Sequence, residues 1–296
     1  MALMKLLNTR PDTPYFRPPP LHFKVLRSCD QLRVTSWHFE DGTAKPLITK
    51  KNTVAAITDS QTVTKVTIFE EFASKIQQGG CYIMRGYELR GTAPPYNINI
   101  TARTQFFRAP TLTVTEDRFT EAEHLLDPPA PLTPLKMSST NGGLITVQGE
   151  VVEFSAVKDV LSGKQHVPLR NLQLKEDGYT MSVCLWREAG IYTFNVGDQI
   201  NLSHMKLNHT AYGPQLHSTT YTKIETKVED RAEVLIIGVA TSDKPNQLEV
   251  LLDDGQSLFI DSELWQPFDN ELEEAAVRVK VQIKGKQIMQ IEKKSL

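Results

Sequence analysis

The sequence predicts an all-β chain: two tandem five-stranded Greek-key barrels with short helices, then a small β-domain of the same kind. Three observations predict it. Strand-like runs with period-two alternation recur along the 296 residues, separated by turns rich in Gly, Asp and Pro. One order of parts (three strands, a short helix, a strand, a turn, a return strand) occurs twice. Between the two copies lies Asp127-Pro-Pro-Ala-Pro-Leu-Thr-Pro134, which neither a helix nor a central strand could absorb.

The second copy is the clearer. Leu144–Phe154 reads as a long first strand, with Gly149 marking a bend or bulge inside it. Val167–Leu174 is a second strand, ended by the turn residues of Glu176-Asp-Gly178. Tyr179–Trp186 is a third: Met181, Val183 and Leu185 alternate onto a core face, Ser182, Cys184 and Trp186 onto the other. Arg187–Phe194 is helix-compatible and short, Val196–Leu202 a turn feeding a strand, and Lys206–Ser218 a turn-rich loop and return strand. Five strands with a helix between the third and fourth match the Greek-key barrel known as the OB-fold.

The first copy follows a tail, residues 1–20, read as extended because it ends in Arg17-Pro-Pro-Pro-Leu21. His22–Cys29, Leu32–Phe39 and Pro46–Ile57 are β-rich, so the first strand has more candidates than the fold needs. Val63–Phe69 alternates, with Val66 and Ile68 on one face and Lys65, Thr67 and Phe69 on the other. A short helix over Glu70–Gln78 is stopped by Gly79-Gly80. Cys81–Leu89, the turn Arg90–Tyr96 and Asn97–Arg103 complete the set. Thr115–Leu126 has the composition of a short helix before the proline run. After Arg231, five short strands, one helix-like stretch (Glu263–Glu274) and tight turns at Asp253-Asp-Gly255 and Lys284-Gly-Lys286 suggest a third, minimal barrel. The expected boundaries are a tail (1–20), a first barrel (21–112), a proline-rich linker (113–140), a second barrel (141–228) and an acidic OB-like domain (229–296).

The chain is nearly neutral, with 33 Lys+Arg against 35 Asp+Glu. That argues against a histone-like wrapper of duplex DNA. The charge is divided: residues 1–110 carry 15 basic and 8 acidic side chains, residues 111–230 carry 10 and 15, and residues 231–296 carry 8 and 12. A basic first third suggests that an anionic partner meets it. The three cysteines, Cys29, Cys81 and Cys184, form no CxxC pair, which excludes a Cys-rich zinc site and fits a reducing compartment. No apolar run approaches a membrane span. The expected location is the nucleus, although composition alone does not separate it from the cytosol.

The runs Asp177-Gly178, Cys184-Leu-Trp186 and Gly197-Asp-Gln-Ile200 resemble the single-strand-binding OB domains of the replication protein A large subunit, and the first copy resembles them more loosely. The resemblance is not expected to extend to that subunit's zinc-bearing C-terminal domain. In that family, the aromatic ending the third strand and the aromatic in the last turn stack on bases. The resemblance therefore implies Phe69 and Tyr96 as platforms in the first barrel and Trp186 and Tyr212 in the second. It also places Lys65 and Arg90 at phosphate contacts. Lys51, Arg85 and Arg103, and in the second barrel Lys206 and His209, are further cationic candidates. Flat rings and cations together are what a single strand requires.

The expected function is thus single-stranded DNA binding with weak sequence preference in replication, repair or recombination, other OB-fold subunits being further partners. RNA offers the same stackable bases. Two alternatives stand beside it: an OB scaffold holding a protein partner without nucleic acid, and tandem barrels gripping duplex DNA from outside. No GxxxxGK[ST], HExxH or GxSxG occurs, and His166, His204, His209 and His217 lack metal-ligand spacing. No enzyme, cofactor or metal is expected.

Overall fold

Residues Leu21–Glu40 (β1) and Thr43–Thr58 (β2) form a long hairpin in the computed structural model, which describes residues 3–9, 16–140, 142–211 and 213–293. Asp41 and Gly42 turn the hairpin with φ of 45° and 71°, as a two-residue loop demands. The first-strand ambiguity resolves here: 22–29 and 32–39 are one strand, not two. The chain divides into two compact units near Pro129.

The first unit contains β3 (Val63–Phe69), β4 (Cys81–Arg85), β5 (Glu88–Arg90), β6 (Asn97–Asn99) and β7 (Gln105–Arg108) in the order β5-β6-β3-β2-β1-β4-β7. β4 and β5 are halves of one strand bent at Gly86 (φ 73°), where a Cβ would come within 2.6 Å of the Arg103 carbonyl. Because β4 pairs with β1 and β5 with β6, that bent strand closes the barrel. β3 and β6 run parallel.

Helices cover this barrel where strands were not enough. The reading of residues 1–20 as an extended tail is corrected by α1 (Leu3–Asn8), whose Leu3, Leu6 and Leu7 are buried in the barrel core. Residues 10–15 of that tail lie outside the described residues. The short α2 (Glu70–Ala73) follows β3 and buries Phe72. The linker reading is also corrected. α3 (Glu116–Leu126) is no spacer: its Ala122 and Leu126 form a second apolar cluster with Leu26, Val54, Ala56 and Val63. Further on, Leu132 bridges to Thr146, and Leu135, heading a 3-10 helix (Leu135–Thr140), is buried in the second barrel.

The second unit contains β8 (Leu144–Phe154), β9 (Lys158–Ser162), β10 (Gln165–Glu176), β11 (Tyr179–Trp186), β12 (Gln199–Thr210), β13 (Gly213–His217) and β14 (Ile224–Thr226). β8-β10-β11-β13-β12 closes back on β8, with β11 and β13 parallel. Gly149 earns its place by close approach: a Cβ there would lie 2.5 Å from the Lys175 carbonyl. β14 adds to β12 as β7 adds to β4.

The same unit continues into a third closed barrel. It comprises β15 (Val228–Thr241), β16 (Gln247–Leu252), β17 (Ser257–Asp261), α4 (Ser262–Trp265), α5 (Asp269–Glu274), β18 (Val277–Lys284) and β19 (Gln287–Lys293), with β17 and β19 parallel. Trp265 is fully buried as its plug, the indole N–H donating to Asp269 at 2.7 Å. The Lys284–Gln287 turn rests on the second barrel: the Lys286 stem packs at Gly197, and Gly285 (φ 61°) abuts Asp198. In each barrel the strands close in the order first, second, third, fifth, fourth, with third and fifth parallel. That is the OB-fold.

Candidate nucleic-acid interface

Period-two alternation decides what the outer faces carry. On β10, β11 and β13 the inward residues Leu172, Leu174, Met181, Val183, Leu185 and Leu216 make the core. The outward residues pair across the strands: Asn171 with Cys184, Gln173 with Ser182, Ser182 with Gln215, Cys184 with His217. Asn171, Gln173, Ser182 and Gln215 line a recess of about 190 Å³ together with Glu153, Phe154 and Ser155. Gln173 donates to the Ser182 hydroxyl at 3.0 Å.

Trp186 stands at one end of this strip, half-buried and outside the core cluster of its barrel. Its backbone N–H donates to Ser218 Oγ at 2.8 Å. Its indole N–H donates to Nδ1 of His217 at 3.3 Å. With Nδ1 accepting, the neutral imidazole keeps its proton on Nε2, which lies 3.4 Å from Oε1 of Gln215. Burial holds the imidazole below its ordinary pKa, so the neutral form persists at pH 7. Burial likewise pushes the Cys184 thiol up to about 11, so it is an inert member of the strip; Lys158 acts on it in the opposite direction.

In the first barrel the equivalent face is different. Its outward pairs are Asn52 with Phe69, Val54 with Thr67, Ala56 with Lys65, and Thr58 with Val63. Where the second barrel has Asn171 and Gln173, this one has Val54 and Ala56, and α3 lies over them. Arg27 on β1 pairs with Glu123 of α3, and Lys24 sits 5.8 Å from the Phe119 ring. Most of this face is therefore interior. Phe69, 40% exposed and outside the core cluster, remains open at its end.

The other sequence candidates sort as follows. Lys65 is exposed on the Phe69 face. Lys206 is exposed and pairs in register with His217, so it joins the Trp186 strip. His209 sits one register step off that row, opposite Pro214, and takes no part in it. Tyr96 is half-buried and packed against the core cluster, its backbone N–H donating to the Leu7 carbonyl at 2.7 Å. Lys51 is paired with Asp30 at 2.6 Å, and Arg90 with Glu88 at 3.6 Å. Arg85 lies 5.1 Å from the Phe107 ring and donates to Gln105 at 2.8 Å. Arg103 is exposed in the turn before β7. Tyr212 lies outside the described residues. Arg170 is spent on the fold, donating to the Tyr192 carbonyl at 2.6 Å. Sequence reasoning missed Asn171, Gln173, Gln215 and His217; their shared parity with Trp186 on paired strands was the available signal.

No family model matches the chain, and no curated protein is matched by it. Among solved structures, one likeness is to a murine DNA-binding protein bound with double-stranded DNA: 13% identity, 70% of this chain and 94% of that one, TM-score 0.36. Another is to the p204 HINb domain: 15% identity, 71% and 98% covered, TM-score 0.37. A third is to a replication protein A heterotrimer bound to single-stranded DNA: 9% identity, 96% and 95% covered, TM-score 0.34. At such scores the fold rests on the strand pairings above.

Proposed function

We propose that this protein binds single-stranded DNA without catalysing a reaction, as its resemblance to the replication protein A large subunit implies, and that the outer face of β10, β11 and β13 is a principal contact. The observation that carries the reading is the contrast between matched faces. One is apolar and sealed by a helix; the other is polar, recessed and flanked by a half-open indole. A polar, recessed face beside a flat ring suits bases that stack and present their edges. Trp186 and Phe69 would each contribute about 1–3 kcal/mol per stacked base. Lys206 and Lys158 supply cations near the strip. Sequence preference is weak in this reading, and a role in nuclear replication, repair or recombination goes with it.

The test is fluorescence anisotropy with a labelled oligo-dT, competed by single- and double-stranded DNA. Salt-sensitive binding preferring the single strand supports the proposal; binding won by the duplex rejects it. A second reading, a scaffold for protein partners, is favoured by one observation: the outer face of the first barrel already holds a helix. It predicts co-purification with a partner and no oligonucleotide binding.

A further inference from the structure

The relay Trp186–His217–Gln215 has a direction. The indole nitrogen can only donate, so Nδ1 of His217 must accept. The ring proton then sits on Nε2 and faces the Gln215 amide oxygen at 3.4 Å. An amide whose oxygen is engaged has its NH2 on the opposite side. Gln215 also lines the recess shared with Asn171, Gln173 and Ser182. A free glutamine amide can rotate to offer donor or acceptor, and reads no base in preference to another. Here rotation would set two N–H groups against the imidazole N–H. The strip therefore offers donors at this point.

Donors recognise acceptors. Among the bases, thymine, uracil and guanine carry an exocyclic keto oxygen where cytosine and adenine carry an amino group. We propose that Gln215 reads the keto oxygen of a base lying beside Trp186, with His217 as the positioning residue that sets the amide. The discrimination is between keto- and amino-bearing bases at one nucleotide. It rests on the single-strand reading above and refines it.

The experiment measures anisotropy of the full chain with labelled oligo-dT, oligo-dU and oligo-dC of one length. These share ring size, so stacking is nearly matched, and oligo-dU separates the keto group from the thymine methyl. The expected result is dT and dU bound about tenfold tighter than dC, the size of one good base-edge contact. Gln215→Ala should weaken dT and dU more than dC, so that the three affinities converge. His217→Phe should shrink the dT-to-dC ratio, while His217→Asn, which can still accept and donate, should restore much of it. Equal wild-type affinities, a dU affinity matching dC, or a ratio that survives Gln215→Ala would each overturn the inference with the single-strand reading intact. Binding to none of the three oligonucleotides would overturn both.

Discussion

The rings of Trp186 and His217 lie 6.4 Å apart between centroids, inclined by 36°, on adjacent parallel strands. This contact ties the proposed stacking ring to a titratable group. The folded pKa of His217 is depressed, so the unfolded chain takes up the proton first as pH falls. The stability it contributes is present above the ordinary imidazole pKa and is lost as pH falls through the folded value. Thermal melts from about pH 7.5 to about pH 5 should show the wild type losing more Tm than His217→Asn. Parallel curves would refute this.

Removing the platforms should weaken binding without unfolding either barrel, since neither ring belongs to a core cluster. Trp186→Ala and Phe69→Ala should each cost about 1–3 kcal/mol with oligo-dT. Unchanged affinity in the double variant, with an unchanged circular dichroism spectrum, would remove the stacking role.

Ala122 is completely buried where α3 meets β1–β3. A carboxylate there would enter the apolar cluster of Leu26, Val54, Ala56, Val63 and Leu126. Ala122→Asp should destabilise the first unit by roughly 2–4 kcal/mol. Hydrogen exchange of Glu116–Leu126 should rise to that of a solvent-exposed helix. Protection equal to wild type would show that the helix is held by other means.

Gly149 permits β8 to approach the Lys175 carbonyl more closely than a side chain allows. Gly149→Ala should cost about 1–3 kcal/mol, read by urea denaturation with the second unit's transition moving to lower denaturant. A neutral substitution would mean that the two strands part at little cost.

The barrels were legible because alternation is a backbone property: Val63–Phe69 and Tyr179–Trp186 each display their parity in seven or eight letters. The bend at Gly149 was legible for the same local reason. What escaped depends on distant partners. α3 is rich in Glu and Asp and has a narrow apolar stripe, so nothing within it names Val54 as its neighbour. Leu3, Leu6 and Leu7 make too short a helix to stand without the barrel beneath them. The stretch around Trp265 looks polar because six of its neighbours are acidic, yet one indole closes the third barrel. Gln173 and Gln215 look like ordinary surface residues until pairing sets them side by side with Ser182.

The covering of Val54, Ala56 and Val63 by α3 makes the duplicated barrels unequal in what they tolerate. A change at Val54 must satisfy the shape of a covering helix, whereas its counterpart Asn171 lines an open recess among polar side chains. New recognition can be acquired on one copy by single substitutions. On the other it would first require an entire segment of chain to find somewhere else to go.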